Sequence, residues 1–209
     1  MLFLVGSLTL TLAAHAQLGA SLGYGLNVIS QPNYSGPSNS FESTGGVNAG
    51  LFYNFPVGQI DIRPSMFFQK NDFSWELDGV EIFSPIEGDF RVAGFAFDLR
   101  YRFSADENSP YVLLGPEVNY VAANRAELRT VLDYEKGSTK YTRINIGAGY
   151  RVQFPSLGIA LEPEVRYSHA LAGFMEQDFI VHTIEYSGDA QRSMSNLIFR
   201  VGFTFLGFE

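Results

Sequence analysis

Residues 159–168 read IALEPEVRYS, and alternate positions of this stretch differ in chemistry. The odd-numbered positions hold Ile, Leu, Pro, Val and Tyr, whereas the even-numbered positions hold Ala, Glu, Glu, Arg and Ser. A period of two residues is typical of a β-strand whose two faces lie in different surroundings. The stretch therefore predicts a strand with one apolar face and one charged face.

The same alternation occurs in seven further stretches, at 18–29, 46–55, 60–69, 93–103, 112–122, 143–154 and 196–205. Across all eight stretches the apolar faces hold 44 positions, and none of these positions is charged. The opposite faces carry seven arginines, five carboxylates and no lysine. These twelve charged residues form the predicted lumen charge network: Asp61, Arg63, Asp98, Arg100, Arg102, Glu117, Arg143, Arg151, Glu162, Glu164, Arg166 and Arg200.

The spacing of the stretches indicates which face meets water. Short connections at 56–59, 104–110 and 155–158 alternate with long ones at 29–44, 70–92, 123–142 and 169–195. Strands of about ten residues, with short turns at one end and long loops at the other, are typical of outer-membrane barrels. We therefore predict an all-β fold, an eight-stranded antiparallel transmembrane up-and-down β-barrel with both termini in the periplasm. A soluble lipocalin-like barrel with an apolar core is the alternative fold.

Composition excludes several classes of protein. The 209 residues contain no cysteine, which removes disulfides, thiol nucleophiles and cysteine-ligated metals. The net charge of −8 and the presence of only 14 Lys and Arg argue against a nucleic-acid partner. By position, the four long connections hold 14 acidic and seven basic residues, so most of the negative charge is expected outside the cell.

The first 16 residues, MLFLVGSLTLTLAAHA, predict a secretory signal peptide because an apolar run is followed by small residues around His15. No Lys or Arg precedes that run, so a buried N-terminal helix remains the alternative interpretation. The expected division is therefore a signal peptide at 1–16 and a barrel domain at 17–209.

The charged faces predict a lumen plugged by ion pairs. We expect Glu162 or Glu164 to pair with Arg151 or Arg143 on the adjacent strand. Cross-strand pairing is also expected between the charges of 60–69 and 93–103. The glycines of 18–29 and 143–154 are expected to leave room for the arginines, or else to relieve strain in a sharply curved sheet. Such a lumen is expected to conduct poorly or not at all.

The ends of the apolar faces are rich in aromatic residues, as in the interfacial girdles of membrane barrels. The expected girdle residues are Tyr24, Tyr53, Phe55, Tyr101, Phe103, Tyr120, Tyr150, Phe154 and Tyr167. The final stretch RVGFTFLGFE, at 200–209, is similar to the C-terminal signal read by the outer-membrane assembly machinery, although Glu209 follows the last Phe.

Three stretches resemble the PorT-like outer-membrane β-barrel family: RPSMFFQKNDF at 63–73, LLGPEVNYV at 113–121 and LEPEVRYSHALAGF at 161–174. The resemblance extends over 17–209 and implies an eight-stranded barrel of Gram-negative outer membranes. One member of the family is tied to a protein-secretion system, and the family implies no catalytic residues.

Three function hypotheses follow. The first is a non-enzymatic barrel, structural or accessory to a membrane complex; the second is a narrow porin-like diffusion channel; the third is a lipid-modifying enzyme. The only candidate catalytic cluster is Ser168 and His169 with Glu176, since His15 lies in the signal and His182 lies alone in a long connection. Adjacent strand residues point to opposite faces, which argues against a Ser168–His169 contact. We assign no cofactor, no metal and no catalytic residue.

The expected partners are outer-membrane lipid and lipopolysaccharide, and the outer-membrane assembly machinery. A protein partner bound through the extracellular loops is a further hypothesis, because 70–92 combines six carboxylates with Trp75 and an Asp78–Gly79 turn signal.

Overall fold

The computed structural model describes residues 17–30, 39–77, 86–104, 106, 108–126, 140–171, 179–181, 184–186 and 193–206. The expected signal peptide, Glu176, His182 and Glu209 lie outside these residues, as do the tips of the long connections. The described part of the chain contains no α-helix long and apolar enough to cross a membrane.

Ten strands occur along the described chain. They are β1 (Gln17–Ser30), β2 (Asn39–Val57), β3 (Ile60–Leu77), β4 (Ile86–Arg102), β5 (Ser109–Ala126), β6 (Lys140–Phe154), β7 (Ile159–Ala170), β8 (Phe179–Val181), β9 (Ile184–Tyr186) and β10 (Ser193–Phe205). A 3₁₀ turn, Pro155–Leu157, connects β6 to β7. The short strands β8 and β9 pair only with each other. They form a hairpin between β7 and β10, within the long connection predicted at 169–195.

Eight strands close into a barrel in the order β1-β10-β7-β6-β5-β4-β3-β2, and every neighbouring pair is antiparallel. The predicted eight-stranded antiparallel barrel is therefore confirmed. β1 begins and β10 ends beside the short turns, since Gln17 pairs with Asn54 and Phe205 pairs with Ile159. The strands β2 to β5 have 17 to 19 residues and the other four have 12 to 15, so the wall is taller on one side.

The short turns use glycine where the backbone requires it. Gly58, between β2 and β3, has φ of 65°, and Gly158, between β6 and β7, has φ of 63°. Glycine adopts this left-handed conformation without the steric cost that a Cβ imposes. The two positions allow tight reversals between long strands.

The ladder is interrupted at three outward-facing prolines near the short-turn end: Pro64 of β3, Pro116 of β5 and Pro163 of β7. Each proline lacks the N–H that would bond to the preceding strand, so the pairing skips two positions there. The pairing of each proline-containing strand with its other neighbour is continuous. Pro64 of β3, for example, pairs with Phe97 of β4. The prolines thus interrupt the ladders between β2 and β3, β4 and β5, and β6 and β7.

The barrel has its apolar residues outside and its polar residues inside. Among the described side chains, 25 polar or charged residues are buried, against nine apolar ones. Large apolar residues at mid-strand are exposed, such as Met66 at 67% and Leu51 at 61%. The described positions of each apolar face are exposed or half-buried, as the alternation predicts. The core is therefore the polar lumen, and the outer wall is an apolar belt.

Candidate functional site

The lumen contains a dense cluster of charged side chains that the strand alternation directs inward. Arg102, at the short-turn end, is the most exposed of the twelve predicted residues, with 12% of its side chain accessible. Eleven of them are buried: Asp61, Arg63, Asp98, Arg100, Glu117, Arg143, Arg151, Glu162, Glu164, Arg166 and Arg200.

Two neighbouring carboxylates of β7 lie at the centre of this cluster. Glu162 forms a close ion pair with Arg63 and lies 3.3 Å from Arg100 and 3.7 Å from Arg151. Glu164 lies 2.7 Å from Arg200, 3.1 Å from Arg166 and 3.7 Å from Arg63. Each carboxylate is thus shared by three guanidinium groups, because both point into the lumen from one strand.

Two aspartates extend the cluster towards the opposite wall. Asp98 lies 2.5 Å from Arg166. Asp61 lies 3.3 Å from Arg102 and 3.8 Å from Arg100. These contacts join six arginines and four carboxylates into one connected network, named here the transverse network: Asp61, Arg63, Asp98, Arg100, Arg102, Arg151, Glu162, Glu164, Arg166 and Arg200.

The remaining two predicted residues form a separate pair. Arg143 Nη1 donates to Glu117 Oε1 at 3.3 Å, on the neighbouring strands β6 and β5. Arg151 pairs with Glu162, one of the pairings expected between β6 and β7. Arg143 instead pairs with β5, because Glu117 is its direct partner in the register.

Aromatic rings inside the barrel stack on the arginines. The guanidinium carbon of Arg63 lies 4.0 Å from the Phe52 ring centre, and that of Arg100 lies 3.7 Å from the Tyr111 ring centre. The Tyr111 hydroxyl donates to Glu164 at 3.0 Å. Cation–π contacts stabilise desolvated arginines, so these rings are part of the site. Sequence reasoning missed this role, although the inward parity of Phe52 was a visible signal.

Glycines provide the space for these rings. A Cβ on Gly149 would overlap the Tyr111 ring, and a Cβ on Gly19 would overlap the Phe52 ring. The sequence predicts that these glycines make room for arginines or relieve strain in the curved sheet. The described contacts show that they also make room for the rings that stack on arginines.

Buried amides occupy the lumen towards the long connections. Gln69 donates to Asn71 at 2.5 Å and to Asn27 at 3.3 Å. Asn145 accepts a hydrogen bond from Ser168 at 2.6 Å. The sequence placed Asn27, Gln69 and Asn145 on inward faces, but it gave no reason to treat them as a layer. The amides add neutral hydrogen bonds beside the charged residues, and Asn145 also donates to Asp98 at 3.4 Å.

The candidate catalytic cluster is not assembled in the described residues. Ser168 is buried and bonded to Asn145, whereas His169 is exposed on the outer wall. His169 Nδ1 lies 3.4 Å from the Tyr167 hydroxyl, on the same outward face. The described part of the chain also holds no cluster of three or more carboxylates and histidines able to bind a metal.

A closed eight-stranded antiparallel barrel with an apolar outer wall and a charged interior is the fold of the small outer-membrane barrel proteins. Among solved structures, the chain is similar to the outer membrane protein OprG from Pseudomonas aeruginosa, with a TM-score of 0.61 and 9% identity over 92% of this chain and 97% of that one.

Two other solved structures align over 91% of this chain and 99% of theirs. Neisserial surface protein A has 13% identity and a TM-score of 0.47, and Ail of Yersinia pestis has 16% identity and a TM-score of 0.42. No family model matches the chain, and no curated protein matches it either. The barrel fold is thus confirmed, whereas the resemblance to the PorT-like family specifically stays a prediction.

Proposed function

We propose that the protein is an integral outer-membrane barrel with a closed lumen, non-enzymatic, and structural or accessory to a membrane complex. The observation that carries the proposal is the ion pair between Arg63 of β3 and Glu162 of β7. In the ring of eight strands, β3 and β7 lie four positions apart, which places them on opposite walls. A direct contact between opposite walls supports a lumen that is blocked at that height.

The apolar belt supports a location in the membrane. Exposed large apolar residues occur on all eight barrel strands. A water-soluble monomer rarely exposes apolar patches of more than a few hundred Å². In a bilayer the same belt faces hydrocarbon, and the closed ladder satisfies the backbone as hydrocarbon requires. We infer the usual orientation of such barrels, in which the short turns and the described chain ends face the periplasm.

The transverse network favours the closed barrel over a narrow diffusion channel. An eight-stranded barrel has an interior that side chains can fill. Here the lumen is crossed by guanidinium–carboxylate contacts and by the stacked rings of Phe52 and Tyr111. A lipid-modifying activity is the least supported candidate, because Ser168 and His169 lie on opposite faces of β7.

Solute entry into liposomes tests this function. Proteoliposomes that contain the refolded full chain are diluted into isotonic arabinose or glycine, and swelling is followed by light scattering. We expect the swelling rate of protein-free liposomes, because the lumen is closed. Swelling at the rate given by a reconstituted porin would contradict the closed lumen.

A membrane location is tested separately by gel mobility. A folded membrane barrel remains intact in cold dodecyl sulfate and shifts in mobility on boiling. We expect that shift; a chain that stays soluble and monomeric without detergent, with no shift, would support the lipocalin-like alternative.

The proposed partners are lipids, the outer-membrane assembly machinery and a protein bound by the long connections. Outer-membrane lipid and lipopolysaccharide would surround the belt, and the assembly machinery would insert the barrel. If the long connections bind a protein, deleting 72–89 should abolish its co-purification while the barrel still folds. Unchanged co-purification would contradict that role for the connection between β3 and β4.

A further inference from the structure

One edge of the Arg100 guanidinium has no partner, although the side chain is completely buried. Its Nη1 atom lies 3.3 Å from Glu162, 3.8 Å from Asp61 and 3.4 Å from the Asn54 amide oxygen. Its Nε and Nη2 atoms make no hydrogen bond. These two N–H groups lie on the same edge of the planar group and form the fork that binds anions in a bidentate manner.

A buried donor pair without an acceptor is costly. An unsatisfied buried polar group loses its hydration without replacement, and the loss is larger for a charged group. Buried unpaired groups in folded proteins therefore indicate an additional water molecule or ion. The face of Arg100 is covered by the Tyr111 ring, so the Nε–Nη2 edge is where an additional acceptor would bind.

The charge of the transverse network favours an ion over a water molecule. Its six arginines and four carboxylates leave an excess of two positive charges. Arg102 reaches solvent and donates to the Gly58 carbonyl at the short turn, so water screens one excess charge there. The second excess charge is buried. Three of the four carboxylates already contact two or three arginines each, and the fourth, Asp98, contacts Arg166.

We propose that a small inorganic monoanion, such as chloride, binds the Nε–Nη2 edge of Arg100 inside the lumen and neutralises the buried excess charge. The inference rests on the closed lumen proposed above, because an open lumen would hydrate the guanidinium instead. A single negative charge is sufficient, because water at the short-turn end screens the other excess charge, which lies on Arg102.

Bromide, which scatters anomalously and replaces chloride, tests the site directly. Crystals of the full chain grown with bromide as the only halide should show an anomalous peak within hydrogen-bonding distance of Arg100 Nε and Nη2. Ordinary density for a water molecule at that edge, without an anomalous signal, would overturn the proposal.

Stability in solution gives an independent measurement. The unfolding midpoint of the detergent-solubilised barrel should be higher in sodium chloride than in sodium gluconate at equal ionic strength, because an ion that binds only the folded state stabilises it. Equal midpoints in the two salts would count against a bound chloride.

Leu113 offers a matched pair of variants. It is the direct register partner of Arg100 on β5, and its side chain is buried inside the barrel. In Leu113→Glu, the new carboxylate should replace the anion and remove the difference between chloride and gluconate. The neutral variant Leu113→Gln should keep that difference. Equal chloride dependence in both variants would contradict the proposal; if Leu113→Glu does not fold, the bromide peak in the unchanged protein decides.

The proposed anion and the proposed closed lumen are contradicted by different experiments. Swelling of proteoliposomes contradicts the closed lumen. A protein that allows no swelling but shows no bromide peak contradicts the anion alone.

Discussion

Arg63 of β3 and Glu162 of β7 form an ion pair across the full width of the lumen, although 99 residues separate them along the chain. Arg63 also donates from Nε to the Asn54 amide oxygen at 2.6 Å, and its face stacks on Phe52. Its orientation is therefore fixed by three different contacts. The pair therefore acts as a crossbar between opposite walls of the barrel.

Removal of one shared carboxylate should destabilise the barrel strongly. In Glu164→Gln, Arg63, Arg166 and Arg200 lose a common counter-charge in a buried site. Breaking a buried ion pair from one side typically costs about 3–5 kcal/mol. We expect a loss of this order in the free energy of unfolding, measured by urea titration in lipid vesicles.

An exposed ion pair on the outer wall is the matched control. Lys70 lies 2.8 Å from Asp72, and both side chains are about half exposed. Exposed pairs contribute about 0–1 kcal/mol, so Lys70→Ala should change stability little. Equal losses for Glu164→Gln and Lys70→Ala would show that the lumen network contributes no more than a surface pair.

Tyr111 is expected to stabilise the network in two separable ways. Tyr111→Phe removes the hydroxyl that donates to Glu164 but keeps the ring on Arg100. A hydrogen bond to a charged group contributes about 1.5–3 kcal/mol, and we expect a loss in this range. Tyr111→Leu also removes the stacking, so its free energy of unfolding should be lower still. Indistinguishable stabilities for the two variants would indicate that stacking contributes nothing.

A substitution on the outer wall tests whether this wall faces the bilayer or water. Met66 lies near the middle of β3, with 67% of its surface exposed. Met66→Arg should cost about 2–4 kcal/mol if the residue faces the bilayer midplane. The measurement is the unfolding free energy in vesicles, with Met66→Leu as the control. An arginine tolerated without loss would place this wall in water.

The faces of the strands could be predicted from the sequence because a period of two residues leaves only two choices. The inward position of Arg63 follows from its alternation with Ile62 and Pro64, and the structure has the same parity. The number of barrel strands followed from the eight alternating stretches. Residues 178–186, DFIVHTIEY, also alternate and predict a protruding hairpin, and β8 and β9 pair with each other in this stretch.

Only some of the partners of the charged residues could be predicted in the same way. The cross-strand pairing expected between β3 and β4 occurs at Asp61, which contacts Arg100 and Arg102. Arg63 and Asp98 are also direct register partners on these two strands. Arg63 instead contacts Glu162 and Glu164, and Asp98 contacts Arg166. Long arginine side chains reach across a narrow lumen, and which carboxylates they meet depends on the stagger of the strands around the closed ring. That stagger has no signature in the local sequence.

The inward aromatic rings were missed for a related reason. Tyr111 lies at the start of β5, one residue before the alternating stretch began in the sequence. Its role depends on Gly149 of β6, its direct register partner, which leaves room for the ring. That a glycine leaves room for a tyrosine ring can be recognised only when the pairing of the two strands is known.

Single-channel recording in planar bilayers tests the closed lumen most directly, by comparing the unchanged barrel with the double variant Arg63→Ser, Glu162→Ser. The two substitutions together remove the crossbar between β3 and β7 and leave the charge of the network unchanged. We expect no steady current through the unchanged barrel or through the control variant Met66→Leu, and discrete openings in the double variant. Large, steady currents through the unchanged barrel, equal to those of the double variant, would contradict the closed lumen.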